Sequence, residues 1–160
     1  MRQDSVYNGL KAIEPPCGYV MVHDGVRPFV TRELISALLS ALEGCDGAVL
    51  GVPAKDTLKE VGPDNLVRKT LDRRLCWQVQ TPQVFSYRVL ADVFRKAYAE
   101  GFYGTDEAFL VERYGGSVKV VAGSYANIKI TTPEDMVLAE ALLMKEAGEK
   151  VKAGKAACRK

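Results

Sequence analysis

The sequence is short of the residues that most often carry proton transfer in enzymes. Its 160 residues include one histidine, His23, and no Ser-His or Cys-His pairing is evident around it. Four cysteines, Cys17, Cys45, Cys76 and Cys158, are widely spaced and form no CxxC pair, which indicates neither a zinc site nor a disulfide framework. They read as small buried hydrophobes in a reducing compartment. Long apolar runs are also missing, as is a signal peptide, so a cytoplasmic protein without membrane contact is expected. Charge of one sign is not in excess: 22 Lys and Arg face 20 Asp and Glu, a net +2, which speaks against nucleic-acid binding. Any anion must be met by a local cluster of charge. The 14 glycines make neither a GxGxxG nor a Walker pattern.

What is present is enough for one core. At 48% hydrophobic the chain supports a single domain, expected over residues 1–147, with an arm at about 53–77 and a basic tail at 148–160. "DSVYNGLKAI" places Val6, Leu10 and Ile13 on one helical face, with Asp4 or Ser5 as candidate cap. "GYVMVH" reads as a buried strand. "TRELISALLSALEG" repeats leucine at helical spacing between Thr31 as cap and Gly44 as stop. "GAVLGV" then reads as a strand buried on both faces, completing a strand–helix–strand unit.

The next stretch differs. "DTLKEVGPDNLVRKTLDR" sets two charge-rich runs around the turn sequence "GPDN", as a projecting hairpin would. "WQVQ" reads as a strand, followed by helices over 86–99 and 105–115, a strand "SVKVVAG" and a brief strand "NIKI". A last helix starts at "TTPEDM", with Thr132 as cap and Pro133 in the first turn. From Gly148 the apolar periodicity fades, as in a frayed end. Strands and helices alternate, which defines an α/β domain whose sheet is mostly parallel, with one antiparallel excursion.

In such sheets ligands settle beyond the carboxyl ends of the strands. In "VMVHDGVRPFV", Asp24 and Arg27 stand where an apolar strand stops. Asp24 could hold a hard cation such as Mg2+ and Arg27 could grip a phosphate, or the two could be a capping pair; Gly25 would let a ligand approach the backbone. Lys129, in an otherwise apolar run, is either an edge-strand charge or a fixed cation for a phosphoryl group. Thr105 and Asp106 are explained by capping a helix.

Taken in order, "RQDSVYNGLKAI", "VHDGVRPFV", "DTLKEV", "TLDRRLCWQVQTPQVF", "TDEAFLVE" and "NIKITTPEDMVLAE" resemble the 2-C-methyl-D-erythritol 4-phosphate cytidylyltransferases of non-mevalonate isoprenoid synthesis. The likeness runs from Arg2 to about Met144. It implies a Rossmann-like fold with helices on both faces, and transfer of CMP from CTP to methylerythritol phosphate with release of pyrophosphate. It further implies Mg2+ on Asp24, phosphate stabilisation by Lys129, nucleotide contacts at Ser5 and Gly25, and an acceptor pocket around Arg27, Thr105 and Asp106. The arm would deliver Thr57 and Arg73 to the neighbouring subunit of a homodimer.

The resemblance also sets departures. The family's opening strand and glycine-rich phosphate loop have no counterpart ahead of the first helix here, so low activity of this chain alone is expected. Ala126 stands where relatives often carry an acidic residue. Two other readings stay open: an acceptor such as ribitol 5-phosphate, and a non-catalytic dimerisation fragment.

Overall fold

The computed structural model describes residues 2–14 and 17–157. Helix α1 (Arg2–Lys11) leads to β1 (Tyr19–Val22), α2 (Arg32–Ser40) and β2 (Gly47–Pro53). Then come β3 (Lys59–Val61) and β4 (Val67–Thr70), β5 (Trp77–Ser86), α3 (Tyr87–Ala99), α4 (Glu107–Arg113), β6 (Val118–Ala122) and α5 (Pro133–Ala157). Among the described residues no helix is long and apolar enough to cross a membrane.

The main sheet has the order β1-β5-β2-β6. Strands β1, β2 and β6 run the same way, as the alternating pattern implied, while β5 lies between β1 and β2 and runs against both. The cause is the arm. Strand β2 leaves the sheet into a hairpin, and a hairpin returns the chain beside the strand it left, in the opposite direction. Strands β3 and β4 form that hairpin as a separate two-stranded sheet. Its tip turns as "GPDN" predicts, with Asn65 at φ 60° and Asn65 N–H donating to the Gly62 carbonyl.

Period-two alternation on β2 feeds two cores. Val49 joins Leu10, Phe85, Leu90, Phe94, Leu110 and their neighbours beneath α1, α3 and α4. Ala48 and Leu50 face the other way, with Leu38 of α2 and Leu42 of the turn after it. Helices thus cover both faces, and β2 is buried on both, as its unbroken apolar run implied. Thr31 caps α2 by accepting from Leu34 N–H; the helix stops at Ser40 with Ala41 as its C-cap, earlier than expected, and Gly44, with a positive φ of 76°, closes the turn that follows.

Several expectations need correction. Helix α1 begins at Arg2, so Asp4 and Ser5 lie inside it rather than at a cap position, and Asp4 accepts from the Tyr98 hydroxyl at 2.6 Å. Strand β1 is half-exposed, with Tyr19 and Met21 open to solvent, because β5 is its one hydrogen-bonded neighbour among the described strands. The strand read at "WQVQ" continues to Ser86; Pro82, which lacks an N–H, is accommodated by a slip in which Val49 opposes Gln83 and Leu50 opposes Gln80. Residues Asn127–Ile130 form no strand: they cross the sheet's rim, and the Ile130 N–H donates to the Val26 carbonyl. Cys17, Cys45 and Cys76 are free but half-buried, each near a backbone carbonyl; Cys158 lies outside the described residues. The stretch from Gly148 to Ala157 continues α5, since Ala, Lys and Glu favour helix even without an apolar stripe; residues 158–160 are not described.

Candidate active site

The rim beyond β1, β2 and β6 gathers residues far apart in sequence. Asp24 follows the end of β1, and its backbone N–H donates to Thr81 Oγ1 at 2.9 Å, next to the register slip in β5. Thr81 Oγ1 is 3.1 Å from His23 Nδ1, and His23 Nε2 is 3.0 Å from the Arg27 carbonyl. A carbonyl only accepts, so Nε2 carries the proton and Nδ1 accepts from the threonine hydroxyl. The lone histidine therefore braces the 23–27 turn.

Around the Asp24 carboxylate stand three cations. Lys129 Nζ is 3.2 Å from Oδ2, Arg27 Nε is 3.7 Å from Oδ2, and Arg2 Nε is 3.5 Å from Oδ1. Half-burial pushes this carboxyl up, but the Lys129 hydrogen bond and the charges of Lys129, Arg2 and Arg27 outweigh it and hold it below the usual range. Burial pulls Arg27 down more than Asp24 restores, and its Nε is buried without a hydrogen-bond partner. Asp24 caps no helix, so the bland alternative of a capping pair does not describe it.

Lys129 is brought here by a lock on the loop after β6. Gln80 Nε2 donates to the Ser124 carbonyl at 2.8 Å, and Asn127 Nδ2 donates to the Thr81 carbonyl at 2.9 Å. Both amides are buried. Arg27 Nη1 closes the lock on the Asn127 carbonyl at 2.7 Å. Gly123 makes this approach possible, since a Cβ there would lie 2.4 Å from Gln80 Oε1. Lys129 is accordingly a rim cation, not an edge-strand charge.

Two further residues of the cluster, Arg2 and Glu107, carried no role in the sequence reading. Arg2 meets Glu107 in a two-pronged pair, Nη1 to Oε1 and Nη2 to Oε2, both 2.8 Å. Glu107 is 1% exposed. Burial pushes its carboxyl up against the pull of Arg2, while Arg2 itself is raised: burial lowers it, but Glu107 more than compensates. The available signal was a glutamate opening the apolar run "EAFLV", since a charge buried there demands a partner.

Of the other candidates, Asp106 caps α4, with Oδ1 accepting from Phe109 N–H at 2.9 Å and Oδ2 from Gln83 Nε2 at 2.9 Å. Thr105 is exposed beside it and caps nothing. Ser5 is exposed on α1 one turn after Arg2, hence on the same side of the helix. Gly25 has an ordinary φ, and a Cβ there would meet nothing within 4 Å, so the fold itself does not require glycine. Thr57 and Arg73 stand apart, exposed at the root of the arm, where Arg73 Nη1 donates to the Lys55 carbonyl at 2.7 Å. Among the described residues no group of three or more His, Cys, Asp or Glu could hold a metal alone.

This chain resembles known proteins over most of its length. A protein-family model described as 2-C-methyl-D-erythritol 4-phosphate cytidylyltransferase (IspD) matches residues 1–145. A relative from Syntrophus aciditrophicus, bearing that enzyme's name, is 51% identical over 147 residues, which cover 92% of this chain and 63% of the relative. Another from Caldanaerobacter subterraneus is 51% identical over 144 residues, 90% of this chain and again 63% of the relative. The solved structure of a 4-diphosphocytidyl-2C-methyl-D-erythritol synthase from Anaerococcus prevotii is similar, with a TM-score of 0.85 and 38% identity over 90% of this chain and 67% of that one. The chain thus spans somewhat under two thirds of the length of the curated relatives it matches. It belongs to the 2-C-methyl-D-erythritol 4-phosphate cytidylyltransferase family.

Proposed function

We propose that this chain carries the metal and acceptor side of a cytidylyltransferase site, in which methylerythritol phosphate takes CMP from CTP. The observation that supports it most is the convergence of Lys129, Arg27 and Arg2 on Asp24 at the strand ends. Two anions must meet for this reaction, and paired positive charge at one rim lowers their repulsion. A phosphate oxygen of the acceptor attacks the α-phosphorus of CTP. The new P–O bond forms as the bond to the β-phosphate oxygen breaks, and pyrophosphate leaves with the electron pair. The nucleophile is already anionic, so no side chain has to remove a proton, which suits a site whose lone histidine is engaged in bracing a turn.

Mg2+ fits this site in one particular way. A single carboxylate is too little for an all-protein cage but is the usual protein share when substrate phosphates supply other ligands. Asp24 would hold the ion, which when bound neutralises triphosphate charge. Lys129 Nζ, 3.2 Å from the same Oδ2, would then turn to the reacting phosphate. Gly25, with open space above its Cα, would let the nucleotide approach, and Ser5 would contact it from α1. Arg27, Thr105 and Asp106 would border the acceptor. Thr57 and Arg73 would serve the acceptor phosphate of the neighbouring subunit in a homodimer joined through the arm, whose Leu66 and Val67 are more than half exposed.

Calorimetric titration tests the site without requiring turnover. CTP uptake that needs Mg2+ and is abolished by Asp24→Asn supports the reading. Uptake indifferent to Mg2+, or untouched by Asp24→Asn, sinks it. Pyrophosphate release by the 160-residue chain alone is expected to be slow, since its sequence holds no glycine-rich phosphate loop; turnover matching a full-length relative would overturn that part.

A further inference from the structure

Tyr125 lies in the turn after β6 and has no part in the roles above. Its hydroxyl donates to the Pro53 carbonyl at 2.7 Å, and the Lys55 ammonium stands 3.5 Å from the centre of its ring. Pro53 ends β2, and Lys55 opens the root of the arm. Arg73, where the arm returns, donates to the Lys55 carbonyl at 2.7 Å. One tyrosine thus touches the outgoing strand of the arm at two points, and the incoming strand grips the same residue from the other side.

The other end of this contact is the lock that presents Lys129. The turn holding Tyr125 is fixed by Gln80 on the Ser124 carbonyl and by Asn127 on the Thr81 carbonyl, and it leads four residues on to Lys129. Those bonds join the turn to β5. Tyr125 joins it to the arm's root, through the Pro53 carbonyl and the Lys55 ammonium. A phenol suits both tasks, with a face for an ammonium and a hydroxyl for a carbonyl.

We propose that Tyr125 is a positioning residue that ties the root of the arm to the loop presenting Lys129, so that a shift of one is felt by the other. The tie stands on geometry alone. Its functional meaning rests on the reading above: if the arm serves the neighbouring subunit while Lys129 serves its own, Tyr125 links the two sites of a dimer, and occupancy of one can bias the other.

The test is a double-mutant cycle on the full chain, with the rate of Lys129 acylation by an amine-reactive ester, measured by peptide mass spectrometry, as readout. Lys55→Ala is expected to speed Lys129 acylation about threefold, the size of one exposed cation–π contact. Tyr125→Leu is expected to do at least as much, and the double variant no more than Tyr125→Leu alone. Tyr125→Phe keeps the ring beneath Lys55, so in that background Lys55→Ala retains its effect. Hydrogen exchange at the Ala54 and Ile130 amides, both hydrogen-bonded here, follows the same pattern and reports on folding of each variant. Acylation of Lys129 indifferent to Lys55→Ala, or effects that simply multiply, would falsify the tie. Neither readout needs catalysis, so loss of the proposed activity leaves the result standing, and the reverse also holds.

Discussion

Two regions of this chain spend arginine and aspartate in opposite ways. At the rim, Arg2 reaches Glu107 and Arg27 reaches the Asn127 carbonyl, partners about a hundred residues away. Along the arm, Arg68 pairs with Asp64 and Arg74 with Asp72, four and two residues away, and every one of these side chains is well exposed. Pairs between sequence neighbours need no fold and stay in water, where they contribute about 0–1 kcal/mol. Pairs made across the fold are shielded, so their geometry is fixed by everything that places their ends. The rim is therefore a product of the core, whereas the arm holds its shape by its own ladder and keeps Leu66 and Val67 in solvent.

The comparison breaks first on stability. Phe85 is fully buried and packs so closely on Gly47 that a Cβ there would lie 2.3 Å from its ring. Phe85→Ala should cost about 3–5 kcal/mol in urea unfolding, because the cavity cannot collapse against a rigid sheet. Leu66→Ala at the arm's tip should change stability by less than about 0.5 kcal/mol. Similar losses from the two would mean that the arm is part of the cooperative core.

Next comes chemistry. Asp24→Asn removes the charge that gathers three cations, and in an assay of Mg2+-dependent pyrophosphate release it should reduce the rate by about 10²–10³-fold. Asp72→Asn, an equal change in formal charge on the arm, should stay within about twofold. Were the two variants alike, the rim would owe nothing to its position.

The same contrast explains what could be read from the amino-acid sequence. Apolar runs such as "GAVLGV" and leucines at helical spacing announce their burial, so a strand covered on both faces, the α/β class and the arm were legible from 160 residues alone, while helices on both sheet faces came from the family resemblance. Where β5 would lie was not, because strand order is decided by how the arm returns the chain. The segment at "NIKI" looked like a strand since isoleucine favours one, but its hydrogen bonds go to a turn and a buried amide lock instead. Asp24, Arg27 and Lys129 could be named from motifs. Their meeting within 4 Å, and the part of Arg2 and Glu107 in it, depended on contacts across the whole fold.

Arg73 sharpens the comparison from the arm's side. If the arm acts in a neighbouring site, Arg73→Ala should raise KM for the phosphorylated acceptor about tenfold and leave that for CTP within about twofold, roughly the worth of one charge-assisted hydrogen bond. The unfolding midpoint should barely move, since Arg73 is exposed and its guanidinium reaches a backbone carbonyl, that of Lys55, at the surface. A larger effect on CTP would assign the arm to the nucleotide.

The smallest effect expected is in the pH dependence of stability, and there the two rim carboxylates oppose each other. Asp24 has a folded pKa below its ordinary 3.8, so its stabilising contribution is complete above that value and is lost as pH falls through the lower, folded one. Glu107 is raised above 4.5 by burial, so its contribution is complete below 4.5 and is lost as pH rises through the folded value. The difference in Tm between the parent and Asp24→Asn should therefore be flat from neutral pH down to about pH 4 and shrink below it. For Glu107→Gln the difference should instead decline as pH climbs from about 4 toward neutrality. Asp72, lowered by its hydrogen bond to Arg74 but exposed to solvent, should give a slope of the Asp24 sign that salt erases. Slopes of one sign at Asp24 and Glu107 would show that Arg2 serves both carboxylates equally, and the buried clamp on Glu107 would then lose its distinction from the pairs on the arm.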